Sequence, residues 1–313
     1  GHLVSWDQVV IDRQKTTQVV MPLLKAEAQI SLEAGYEVGP ISVGVDETGF
    51  LTGIEYKGRP MMSAPPDSCF WRAPTDNDGV KQGWMASVSG VRQKWIREGL
   101  DDLEIHRKKH EAYKYGKDVF LVFEREIHGV SNFALHHSVY SLTAKGIYVT
   151  ERIDIPEDWD DMPRVGIRFE MSESFNLLRW FGRGPQESYA DRYLSQMVGI
   201  WDSDVESQYH GYVVPQEHGA HHQTRWFTLQ DNSGLQIRIA SSNPFSFSAR
   251  FHHDLDITLA KTIADLKRKD TIEVHVDTAL RGLGTGACGP DVLEKYQVSA
   301  GEHIWDWEIS FKE

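Results

Sequence analysis

Side chains able to do chemistry are packed most densely in three clusters. They are Trp71-Arg72-Ala73-Pro74-Thr75-Asp76-Asn77-Asp78, Gly182-Arg183-Gly184-Pro185-Gln186-Glu187-Ser188-Tyr189 with Asp191-Arg192, and Pro215-Gln216-Glu217-His218-Gly219. Their Arg–carboxylate forks, amides and turn residues have two uses: to knit long loops together or to line a hydroxyl-rich cleft. Residue types alone lean toward knitting. A metal is also to be weighed, because His210, Glu217, His218, His221 and His222 offer several ligands in a short run. Pro215 and Gly219 make that run a loop, where spacing proves little, and a hydrogen-bonded network is the expected use. His252-His253-Asp254 reads the same way. Gly282-Leu283-Gly284-Thr285-Gly286 is half a dinucleotide fingerprint, but Ala287-Cys288-Gly289-Pro290 follows in place of a helix, so a glycine-rich loop is expected. No Gly-x-Ser-x-Gly, Gly-x-x-x-x-Gly-Lys or His-Glu-x-x-His sequence occurs.

Composition narrows the ligand. Across 313 residues the formal charge is −13, which argues against a counterion-release grip on nucleic acid. No apolar run approaches the ~18 residues of a membrane helix. Ten tryptophans, among them Trp71, Trp180, Trp201 and Trp226, suit sugar chemistry, in which a ring face stacks on the pyranose and polar groups bridge its hydroxyls. Most of these rings must nonetheless be core. The two cysteines, Cys69 and Cys288, are too few for a disulfide framework or a cysteine-rich zinc site, and free thiols are expected.

The elements that must position these clusters read as strands. Ile147, Val149, Ile153 and Ile155 share one face, interrupted by Glu151, and Ile272, Val274 and Val276 alternate with Glu273, His275 and Asp277, as in half-buried strands. Further runs lie at 41–45, 119–127, 165–169 and 235–240, beside turns such as Asp46-Glu47-Thr48-Gly49 and Asp231-Asn232-Ser233-Gly234. Helical periodicity is confined to 91–99 and a short turn near 185–193, too little for βαβ crossovers. A large all-β antiparallel sandwich is expected over 29–313. Residues 12–28 read as a linker, and 1–11, too short for a core, as the last strand of a preceding domain.

The three clusters, extended to Phe70–Asp78, Phe181–Arg192 and Val214–Gly219, resemble the C-terminal domain, or separate small chain, of glycoside hydrolase family 2 β-galactosidases. The resemblance covers about 28–313, and 1–8 resembles the final strand of the immunoglobulin-like domain that precedes it there. It implies a supersandwich similar to galactose mutarotase. It also implies a retaining hydrolase acting on terminal β-D-galactosides, whose catalytic glutamates and magnesium lie on a barrel outside this chain. No cofactor is expected here; the expected partners are the parent's other domains, its β-galactoside substrate and further copies of the parent. Retaining hydrolysis needs two carboxylates about 5 Å apart, and no such pair is nominated in this sequence.

The resemblance further implies that 284–290 walls the active-site pocket, with Gly286, Ala287, Cys288 and Gly289 at its edge. Cys288 falls where a substrate-packing Trp is expected, so Trp71 or Tyr296 is a candidate for that space. His218 falls where relatives more often carry Asn. Two rival functions stay open: a noncatalytic carbohydrate-binding module, and a mutarotase or epimerase pairing His218 or His222 with Glu187 or Glu217.

Overall fold

The computed structural model describes residues 7–9, 28–30, 34–48, 50–79, 90–284 and 290–313. Strands β1 (Ala28–Gln29), β2 (Gly35–Val38), β3 (Ile41–Val45), β4 (Leu51–Tyr56), β5 (Arg59–Pro60) and β6 (Ala64–Cys69) come first. After helix α1 (Arg92–Glu98) follow β7 (Glu104–Tyr115), β8 (Asp118–His128), β9 (Phe133–Leu142), β10 (Gly146–Ile155), β11 (Arg164–Ser172), β12 (Leu177–Gly184) and β13 (Met197–Asp204). Then come β14 (His221–Gln230), β15 (Gln236–Arg250), helix α2 (Asp254–Leu259), β16 (Thr271–Leu280) and β17 (Gly301–Lys312).

All pairings are antiparallel, in the order β1-β7-β8-β9-β10-β17-β15-β14-β12-β13, with a branch β15-β16-β11-β6; β2 to β5 form a separate meander. The branch arises inside β15. Its first half pairs with β17 from Gln236 to Ala240, and its second half pairs with β16 from Ser246 to Arg250. Between them the ladder to β14 slips, around Ser241-Ser242-Asn243-Pro244, where proline supplies no N–H. One strand thereby serves both parts of the sheet, around one large apolar core. The run expected at 235–240 is thus the start of a longer strand, hidden because the serines and proline break the alternation. Residues 91–99 do form α1, which ends at Gly99 with φ 78°, while α2, only six residues long, gives no periodic signal.

Two polar intrusions explain themselves in space. Glu151 on β10 is fully buried, receives the Trp307 indole N–H at 3.2 Å and lies 2.8 Å from His136 Nε2. On β16 the expected half-buried alternation is wrong: Glu273, His275 and Asp277 are as buried as the facing Ile272, Val274 and Val276. That polar face is covered because it meets guanidinium groups rather than water. The expected preceding-domain strand and linker lie largely outside the described residues. Of the piece before residue 28, Gln8 is seen exchanging two hydrogen bonds with the backbone of Val198 on β13. Among the described residues no helix is long and apolar enough to cross a membrane.

Replacing Glu151 by Ala leaves a buried indole N–H and an imidazole without their partner. The expected loss is about 2–3 kcal/mol of unfolding free energy in urea titrations, and a change below about 0.5 kcal/mol would contradict the role assigned to this carboxylate.

Candidate functional site

The centre of the first cluster is Asp78, fully buried between two guanidinium groups. Arg72 Nη2 donates to both Asp78 oxygens at 2.8 Å, and Arg281 Nη1 donates at 3.1 Å. The Thr75 N–H and hydroxyl close the carboxylate's shell at 2.8 and 2.9 Å. Arg281 also grips Asp161 through two N–H···O bonds of 2.7 and 2.9 Å and reaches Asp291 at 2.6 Å. Arg72 also donates from Nη1 and Nη2 to the carbonyls of Arg281 and Gly282, at 2.7 and 3.2 Å. A charge-assisted lattice thus fixes the chain as it leaves β16.

A second lattice lies beside it, on the polar face of β16. Arg164 meets Asp254 at 2.8 Å, Asp277 at 3.1 Å and Glu217 at 3.7 Å, and donates to the Trp71 carbonyl at 3.3 Å. Arg250 binds Glu217 at 3.2 Å, the His218 carbonyl at 3.1 Å and Asp254. Burial pushes Asp277 up to about 7 despite Arg164, whereas Asp254, against the same push, is held below its ordinary range by Arg250 and Arg164. Burial raises the Glu217 carboxyl as well, even with Arg250 beside it.

The second and third clusters join to each other and to the first through named bonds. Glu187 accepts from Arg192, from the Tyr212 hydroxyl at 2.9 Å and from the Gly219 N–H at 2.8 Å. Gly219 has φ +76°, and a Cβ there would press on the Gln208 carbonyl. The Tyr189 hydroxyl donates to Glu217 at 3.3 Å, Arg183 binds Gln223 and the Gln196 carbonyl, and the Asp76 N–H donates to Gln216 at 3.2 Å. Tyr189, Ala220, Leu280 and Leu283 form a small apolar core beneath.

Where the three clusters meet, a cleft of about 670 Å³ opens, lined among others by Asp76, Asn77, Asp191, Arg192, Glu217 and Gly284. Asp191 accepts the Leu283 and Gly284 N–H groups at 3.1 and 2.7 Å, and the Asn77 amide donates to the Pro290 carbonyl at 3.3 Å. Gly284 has φ +81°, and a Cβ there would run into the Asn77 amide. Both ends of the glycine-rich loop are therefore held by cluster residues. Gly286, Ala287, Cys288 and Gly289 lie outside the described residues. Trp71 does not line this cleft: its indole donates to Thr258 at 3.0 Å and its ring packs edge-on against Trp95. Tyr296 gives its carbonyl to the Gly282 N–H.

Knitting and lining thus coexist. The residues that sequence reasoning missed are Arg164, Arg250 and Arg281; Asp254 was read as part of a hydrogen-bonded network, as it is, and Asp277 as the polar face of a half-buried strand, although Glu273, His275 and Asp277 recurring on one face was a readable signal.

The histidine run does not gather into a metal site. Among the described residues, three ligand-type side chains converge at Cys69–Asp254–His275 and at His106–Glu126–His128. The first already holds a cation, since Arg164 Nη1 sits 2.7 Å from His275 Nδ1 and 2.8 Å from Asp254. Burial pushes the Cys69 thiol up to about 11, so it stays protonated. His218 is pushed down to about 3 by burial and by Arg250, while burial takes His221 and His222 to about 4.

This arrangement is an all-antiparallel sandwich domain whose polar loops are braced around a cleft, and the comparisons say to which family it belongs. The family model described as beta galactosidase small chain matches residues 41–311, and the chain belongs to that family. It is 27% identical to a β-galactosidase of Kluyveromyces lactis over its whole length and 26% identical to one of Streptococcus thermophilus over 99% of it. It spans about three-tenths of each, 30% and 29%. Among solved structures, a galactose mutarotase-like protein from Clostridium acetobutylicum shares 9% identity at a TM-score of 0.49, covering 89% of this chain and 94% of that one.

The three cluster histidines set a pH dependence. Their folded pKa values lie below the unfolded ~6.5, so the unfolded chain binds more protons between about 4 and 6.5 and stability falls as pH drops through that window. Asp277, raised to about 7, works the other way, stabilising most below about 4 and progressively less up to 7. Glu217, also raised, acts with Asp277, and His275, held neutral by burial, acts with the other three, so the histidines outweigh the two carboxyls. Urea titrations from pH 6.5 to 4.5 are expected to show falling stability, with a shallower fall in His221→Phe; a pH-independent midpoint would contradict this.

Proposed function

We propose that the chain is the small-chain part of a retaining β-galactosidase, that the catalytic carboxylates lie on domains outside it, and that residues 284–290 form one edge of the galactoside pocket. The observation that carries this reading is the double clamp on that loop: Asp191 holds its first amides and Asn77 its last carbonyl, both from the cleft wall. Fixing both ends of a loop lowers the ordering cost of any contact it makes with a substrate. The carboxylates near the cleft suit a supporting role. Glu217 is spent on Arg250 and Tyr189, and Asp191 on backbone amides. Magnesium on domains outside this chain is part of the same proposal; of the two ligand clusters among the described residues, His106–Glu126–His128 offers imidazole nitrogens rather than the oxygens magnesium takes, and the other is occupied by Arg164. Assembly of the parent into oligomers is part of the same proposal.

The mutarotase reading has less to support it. It needs an acid and a base free to reach an anomeric centre, and Glu187 already accepts three hydrogen bonds. Neutral His218 and His222, with pKa values near 3 and 4, bind the Gln216 carbonyl and the Ser246 hydroxyl.

Reconstitution tests the proposal. The parent enzyme's other domains, expressed without this chain, are expected to hydrolyse lactose only when the chain is added. The Asp191→Ala chain is expected to reconstitute with a KM raised about tenfold, the effect of one lost positioning contact of about 1.4 kcal/mol. Hydrolysis that does not depend on the added chain would overturn the pocket role.

A further inference from the structure

A second concavity lies where β15 leaves β17. The slip at Ser241 to Pro244 opens a groove of about 400 Å³ across β10, β12, β14, β15 and β17, and it shares no lining residue with the cleft of the three clusters. Its apolar part is the pair of half-buried rings Phe181 and Trp226, 6.3 Å apart. Its charged lining is Arg225, Arg238, Asp306 and Glu308, with hydroxyls such as those of Thr150 and Ser242 beside them. Two positive and two negative groups cancel, so an ionic ligand gains no net attraction there, while a neutral one finds donors and acceptors on every side.

The polar groups are held in place by bonds that leave part of each free for a ligand. Arg238 Nη1 binds Glu308 Oε1 at 2.6 Å with its guanidinium 5.6 Å from the Trp226 ring, and the Ser242 hydroxyl donates to Asp306 Oδ1 at 2.6 Å. Each carboxylate keeps its second oxygen out of those bonds. Arg225 lies over Phe181, donates to the Gln223 carbonyl at 2.6 Å and has no carboxylate partner among the described residues. Carboxylate acceptors and guanidinium donors set beside an indole match the vicinal hydroxyls and apolar face of a pyranose. All of them stand on paired strands, which gives the groove a fixed shape, and its volume falls within the range of small-molecule sites.

We propose that this groove is a binding site for a neutral saccharide of one or two pyranose rings, separate from the galactoside pocket and independent of the reading of that pocket. It would hold a sugar on the chain without acting on it.

Calorimetric titration of lactose, galactose and cellobiose into the 313-residue chain, to about 100 mM sugar, tests this. At least one is expected to saturate with a Kd of about 0.1–10 mM, a range typical of a shallow site with few contacts. Trp226→Ala and Asp306→Asn are each expected to weaken it at least about fivefold, and Asn77→Ala and Asp191→Ala to leave it unchanged. Asp306→Asn alters only a half-buried side chain, and near-ultraviolet circular dichroism shows whether both groove variants stay folded. Three results would overturn the proposal: no saturation with any of the three sugars, saturation unaffected by Asp306→Asn, or binding lost on Asp191→Ala. The last would assign the sugar to the other cleft.

Discussion

The placement of the loop region depends on one buried carboxylate. Asp78 sits between Arg72 and Arg281, with no exposure to water, and accepts five hydrogen bonds from three residues. Such a group is a weak source of net stability, because taking the charges out of water costs about what their attraction returns. Its consequence is geometric. With Asp78 in place, Arg281 is free to grip Asp161 and Asp291, and Arg72 to hold the carbonyls of residues 281 and 282. The two sides of the glycine-rich loop are thereby tied to one point in the first cluster.

The neighbouring lattice around Arg164 and Arg250 works on the same principle along β16. A strand whose polar face carries Glu273, His275 and Asp277 is buried on both sides only because guanidinium groups and their partners fill the far side. Protonation helps to balance the charges: Asp277 is raised to about 7, and burial with the nearby Arg164 keeps His275 neutral. Asp254, on the short α2, links the two arginines. Loops from three distant parts of the sequence therefore converge through electrostatics, while the apolar core fixes the sheet that carries them.

Much of this was legible in the residues. Alternation locates β3, β8, β10 and β11, Gly99 marks the end of α1, and the density of Arg, carboxylate and amide residues marks the three clusters as loop-knitting or cleft-lining. What stayed hidden has physical causes. The double burial of β16 depends on Arg164 and Arg250, which lie outside the strand and far from it in sequence, and strand periodicity records only the strand itself. The length of β15 was masked by a proline-containing slip that short-range patterns read as an end. Arg281 carries no local signal, because it is a single arginine ahead of a run of glycines whose first residues it helps to place. Trp71 looked like a stacking ring but is tied to Thr258 and Trp95.

The Asp78 lattice holds the base of the loop. Hydrogen exchange of the Leu283, Gly284 and Val292 amides, compared between the native chain and Asp78→Asn, tests it most directly. Exchange is expected to be at least about tenfold faster at those amides in Asp78→Asn, with β8 and β9 unchanged, as for local opening. Unchanged rates at the loop base, or an equal rise across the whole sheet, would contradict it.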